Sequence, residues 1–339
     1  MMMRLSVAMV ACSITRLIPV IAALLLGGSA SAAELLTTEA KIPLGAVKGR
    51  IDHLAADLGR HRVFIAELGN NTLGAVDIEN KKVVGRVTGL KEPQGVAYAP
   101  SADLFYVANG GDGSVNRYRG ADLSPASAIK LSGDADNVRF DARAGEIIVG
   151  YGDGALAILD AASGEKRGHD IRLAAHPESF QLESTGARIF VNVPKAGRVS
   201  VIDRAAGREI AAWKLDGAAE NFPTALDEVQ GKLLVVYRTP PTLVAFDTRT
   251  GSVTRLPTCG DADDVFVDAK RHRLYVSCGE GAVAVIEASG DGYAELGRVR
   301  TISGARTALF VPELDRLFLA VRANGYEPAA LWVMRPAES

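Results

Sequence analysis

Beyond an apolar opening, the chain is punctuated by short apolar runs of four or five residues, each closed by an acid or a proline. One set falls at 54–57, 96–100, 138–141, 180–183, 224–227, 265–268 and 308–312. Successive starts are 42, 42, 42, 44, 41 and 43 residues apart, a period that accommodates four short strands and their turns. A second set, richer in β-branched and aromatic residues, follows each first run after a polar turn, at 62–66, 104–108, 147–149, 189–191, 233–236, 274–277 and 317–320. Such runs predict strands.

Third strands are predicted after the glycine-rich turns at 111–113, 152–154 and 279–281. Several of them close on Asp77, Asp160, Asp203 and Asp247, and Gly164, Gly207 and Gly251 follow the last three by four residues, a tight-hairpin spacing. No helical period of useful length follows the first 32 residues, which argues against an α/β fold. Seven copies of a four-stranded unit predict an all-β, seven-bladed β-propeller, with an eight-bladed ring or open solenoid as the alternative. The seventh copy runs out near Met334, while residues 35–44 precede the first copy and read as a strand. The N-terminal strand is therefore expected to close the ring as the outer strand of the last blade, which removes exposed sheet edges.

The opening itself places Arg4 and Arg16 around apolar residues, then an apolar run at 17–26 and small residues ending at Ala32. This is the pattern of a secretory signal peptide over residues 1–32, with residues 33–339 as one propeller domain in the periplasm or outside the cell and no membrane span once the leader is cleaved. Cleavage removes Cys12 and leaves Cys259 and Cys278, an even count for an oxidising compartment, so these two are expected to form a disulfide. The formal net charge of −2 becomes more acidic by two when Arg4 and Arg16 are lost. Lys and Arg are interspersed with acids rather than gathered in a stripe, which argues against nucleic-acid binding.

The Leu104–Asn109 run, Leu-Phe-Tyr-Val-Ala-Asn, and its copies resemble YVTN-type, YncE-like propeller repeats across essentially the whole chain after the leader. Residues 147–150 and 234–237 depart from the literal motif. The resemblance implies the fold; propellers of this kind serve as binding platforms, lactonases and lyases, and the fold does not choose among them.

In a propeller the loops entering the first strands meet at one mouth of the central channel. Alignment of the copies puts Asp52, Gln94, Asp136, Glu178, Phe222, Asp263 and Arg306 at one equivalent position, and His53, Gly95, Asn137, Ser179, Pro223, Asp264 and Thr307 at the next. Candidate ligand-binding residues are accordingly Asp52, His53, Gln94, Asp136, Asn137, Glu178, Asn221, Asp263, Asp264 and Arg306. Asn137, Glu178, Asn221 and Asp264 form an oxygen-rich set suited to Ca²⁺ or Mg²⁺. The competing explanation is that these acids cap turns and pair with Arg50 and Arg306 without any metal. His53 and His176 are the candidate proton carriers, whereas His61 and His272 belong to turns on the opposite face. No His-Glu-x-x-His, Cys-x-x-Cys, Gly-x-Ser-x-Gly, Walker or haem-attachment string occurs. The chain therefore reads as a monomeric binding scaffold for a small polar molecule or a periplasmic protein. The alternative is a divalent-metal-dependent hydrolase, lactonase or lyase working at the channel mouth.

Overall fold

A computed structural model describes residues 34–214, 216–290 and 292–338. The expected signal peptide lies outside the described residues. Seven four-stranded antiparallel sheets make up the fold. Their inner strands are Leu54–Asp57, Pro93–Ala99, Ala135–Asp141, Phe180–Leu182, Ala219–Asp227, Ala262–Asp268 and Thr307–Val311, which open blades 1 to 7 in chain order. Blade 7 is completed by Arg316–Val321, Ala330–Pro336 and, as its outer strand, Leu36–Pro43. The ring is thus closed by the N-terminal strand, as its apolar pattern predicted. Among the described residues no helix is long and apolar enough to cross a membrane.

Burial follows position within the blade. The second strand Leu104–Asn109 is buried along its whole length and the other second strands along most of theirs, whereas the outer strand Lys82–Val87 alternates exposed and half-buried residues. Second strands are covered on both faces by neighbouring blades, which explains their unbroken apolar runs. Aromatic side chains fill these interfaces: Phe64 of blade 1 meets Phe105 of blade 2, and Trp213 of blade 4 stacks on Phe246 of blade 5.

In four blades the acid that closes the inner strand has a local cause. Asp57, Asp141, Asp227 and Asp268 turn a carboxylate oxygen back to accept a backbone N–H two or three residues on, which caps the tight turn into the second strand. These turns also join blades. Arg60 forks onto Asp103 of blade 2 at 2.8 Å through both nitrogens, and Arg271 forks onto Asp315 of blade 7 at 2.6 and 2.8 Å. His61 and His272 occupy left-handed positions in the same kind of turn, at the far end of the inner strands from the mouth.

Four inner strands begin earlier than their apolar runs suggested. In blades 2, 3, 5 and 6 the ladder slips between Pro93 and Val96, Ala135 and Val138, Asn221 and Thr224, and Ala262 and Asp264. Pairing then resumes beyond each slip, so polar residues before the run belong to the strand. Each slip is a β-bulge, a device that re-aims side chains at strand ends.

Candidate functional site at the channel mouth

The bulges carry the site. Gln94, Asp136, Phe222 and Asp263 all sit in the register breaks of their inner strands, and all four line one cavity of about 340 Å³ at the channel mouth. Gly95 shows how closely the bulges approach one another: a Cβ there would lie 2.0 Å from the Asp136 carbonyl oxygen. Only glycine fits while Asp136 keeps its place.

One wall of the cavity is basic. Arg306 donates to Asp261 at 2.6 Å and pairs with Asp263 at 2.9 Å. Arg238 also bonds Asp263, donates to the Ala262 carbonyl at 2.8 Å, and lies over the Phe222 ring with 4.2 Å to its centroid. Asp263 of blade 6 therefore clamps arginines from blades 5 and 7, holding both guanidinium groups in fixed orientation. The Cys259–Cys278 disulfide, with Cα atoms 5.9 Å apart, anchors the segment that carries Asp261 and leads into the strand bulge at Asp263. Cys259→Ser, Cys278→Ser is expected to lower stability by about 3 kcal/mol, the chain-entropy value for a loop of this size; comparison of denaturant midpoints checks it.

The opposite wall is acidic. Asp136 of blade 3 is buried and faces His176 and Glu178, from the segment entering blade 4; one potential ligand atom from each lies within 4.8 Å of the others. His176 Nδ1 donates to the Gly152 carbonyl at 2.6 Å, and its Nε2 lies 3.7 Å from Asp136. Gly152 delivers that carbonyl from a turn with φ of +59°, the left-handed region that glycine favours. Burial works against the imidazolium of His176, but Asp136, the Gly152 carbonyl and Asp134 outweigh it and raise its pKa to about 9. Burial, then the nearby Asp136 charge, pushes Glu178 up to about 7.

Beneath the mouth the channel continues as a second cavity of about 460 Å³, lined by His53, Arg139 and Asp264 among mostly apolar inner-strand residues. His53 Nε2 is 3.1 Å from Asn137 Nδ2 and its Nδ1 is 3.8 Å from Asp264, whose other oxygen accepts the Ala308 N–H at 2.8 Å. Burial raises Asp264 to about 7 against the opposing pull of His53, and raises Asp52 to about 6 against His53 and Arg50. Arg139 projects into this channel with its guanidinium held below its ordinary pKa by burial.

The ten residues expected to bind ligand are therefore divided among three surroundings. Gln94, Asp136, Glu178, Asp263 and Arg306 line the mouth; His53 and Asp264 line the channel below it. Asp52, Asn137 and Asn221 are buried behind these walls. Asp52 is held by Arg50 at 2.7 Å, and Asn221 donates to the Arg198 carbonyl at 3.2 Å, a link from blade 5 to blade 4. The proposed cation set of Asn137, Glu178, Asn221 and Asp264 thus lies in different surroundings. Glu178 is grouped with Asp136 and His176 instead. The two candidate proton carriers are also separated, His176 at the mouth and His53 in the channel.

Arg139 was missed by sequence reasoning. It occupies the repeat position held elsewhere by Ala55, Ala97, Gln181, Ala225, Phe266 and Leu309, and a lone arginine in that row was the available signal. Asp134, which accepts from Gln94 at 3.2 Å and lies 3.7 Å from His176, precedes the aligned position and offered none.

No protein-family model matches the chain, and no curated protein matches it. A solved structure does. The chain is similar to the structure titled Kuenenia stuttgartiensis Hydrazine Synthase, with a TM-score of 0.72 and 19% identity over 81% of this chain and 94% of that chain. At that identity the likeness shows the propeller fold alone.

Proposed function

We propose that this chain is an exported, YncE-like propeller whose channel mouth is a binding platform for a small polar molecule bearing a carboxylate. The observation that carries the reading is the mouth cavity, with two fixed arginines on one wall and Asp136, His176 and Glu178 on the other. Concave sites with a few convergent polar groups are where small ligands bind, and the guanidinium nitrogens that Asp261, Asp263 and the Ala262 carbonyl leave over, Nη2 of Arg306 and Nη1 of Arg238, are oriented donors for a carboxylate. The leader-like pattern of residues 1–32 and the Cys259–Cys278 disulfide support export.

Thermal unfolding of the purified protein with succinate and glutamate as probes tests the reading. A saturable rise in Tm is expected for at least one probe, equivalent to about 2.7 kcal/mol at a hundredfold excess over Kd, and Arg306→Gln should abolish it. No shift with either probe, or a shift that survives in Arg306→Gln, would overturn the assignment.

A further inference from the structure

The acids around the mouth are not equivalent. Asp52 is held by Arg50, and Asp263 is clamped by Arg238 and Arg306. Asp136 and Glu178 occupy the same repeat position in adjacent blades, and the donor facing Asp136 is His176 Nε2 at 3.7 Å. Asp136 is only 6% exposed. Among the described residues neither carboxylate is paired with an arginine or lysine, and what the two share is the Nε2 edge of His176.

We propose that Asp136, His176 and Glu178 hold one divalent transition-metal ion of the Zn²⁺, Mn²⁺ and Fe²⁺ class. Ligand atoms about 2.1 Å from a common ion stand roughly 3–4 Å apart, so atoms already within 4.8 Å of one another reach that geometry by small side-chain rotations. The Nδ1–H bond to the Gly152 carbonyl is the outer contact that fixes a ligating imidazole and turns Nε2 towards the metal. One imidazole with two carboxylates suits a first-row transition metal, whereas Ca²⁺ and Mg²⁺ favour oxygen ligands throughout. Three protein ligands leave coordination positions open to the cavity, where the carboxylate of the proposed ligand can bind. Only this last step rests on the binding-platform reading.

Titration of the EDTA-stripped, dialysed full chain with Zn²⁺ by calorimetry tests the site in the absence of any carboxylate probe. One equivalent is expected to bind. His176→Ala and Glu178→Gln should each weaken binding at least a hundredfold, and His61→Ala should leave it unchanged. Co²⁺ should gain visible absorption bands in the unaltered protein that are lost in the variants. Circular dichroism and the metal-free melt establish that each variant is folded, and Glu178→Gln, which preserves shape, decides the matter if His176→Ala does not fold. Failure of Zn²⁺, Mn²⁺ and Fe²⁺ all to bind stoichiometrically, undiminished binding in the folded variants, or a preference for Ca²⁺ would overturn the site. A carboxylate-dependent melt shift in EDTA-treated protein would leave the binding platform standing even then, so the two failures are distinguishable.

Discussion

Deletion of residues 34–44 is expected to abolish cooperative unfolding. The segment supplies the outer strand of blade 7, pairing from Leu36 with Pro336 to Pro43 with Ala330. It buries Leu36, Ile42 and Leu44 almost completely, and Leu44 donates its N–H to the Ala329 carbonyl at 2.9 Å. Truncating one such side chain to alanine costs about 2–5 kcal/mol. The loss of all three approaches the 5–15 kcal/mol typical of a whole domain's stability. Deletion also uncovers the edge of Ala330–Pro336, a template for intermolecular pairing. Size-exclusion chromatography and guanidinium unfolding should show associated material and a broad or absent transition. A monomer with the original midpoint would show that ring closure does not depend on this strand.

Arg86→Ala should destabilise the protein by about 3–5 kcal/mol, the usual cost of leaving one member of a buried ion pair alone. Arg86 reaches Glu67 through Nε at 2.7 Å and Nη2 at 2.8 Å, and Nη2 also donates to the Leu44 carbonyl at 2.7 Å. Glu67 is fully buried and additionally accepts the Thr72 hydroxyl. The arginine therefore neutralises an acid inside blade 1 and ties that blade to the segment that closes the ring. Removing it strands the carboxylate away from water. The double variant Glu67→Leu, Arg86→Met should recover much of the loss, since replacing both charges removes the uncompensated acid. Denaturant midpoints of the three proteins check this. A single variant as stable as the original would mean that water reaches Glu67.

Glu67 also marks where repeat reasoning loses resolution. Its neighbours in the same strand follow the expected apolar pattern, but a carboxylate at a strand end reads equally well as exposed or buried. Its partner is 19 residues away across two hairpins. The mouth residues were easier to place, because inner-strand entry loops must converge once the period and strand order are known. Which acids would meet an arginine could not be read in the same way. Arg238, Asp263 and Arg306 come from three successive blades, and their meeting depends on blade rotation and on side-chain direction after each bulge.

By itself, then, the sequence determined the number of blades, the phase of their inner strands, the closing role of residues 36–43 and the pairing of Cys259 with Cys278. Those features follow from short-range periodicity, turn chemistry and cysteine count, each of which leaves its mark within one repeat. The tertiary structure decided that Asp136, His176 and Glu178 share one wall, that Asn221 is buried away from the cavity, and that His53 and Asp264 lie deeper in the channel. Those outcomes depend on bulges that shift register and on how far neighbouring blades rotate, quantities of a few ångströms that no spacing along the chain encodes.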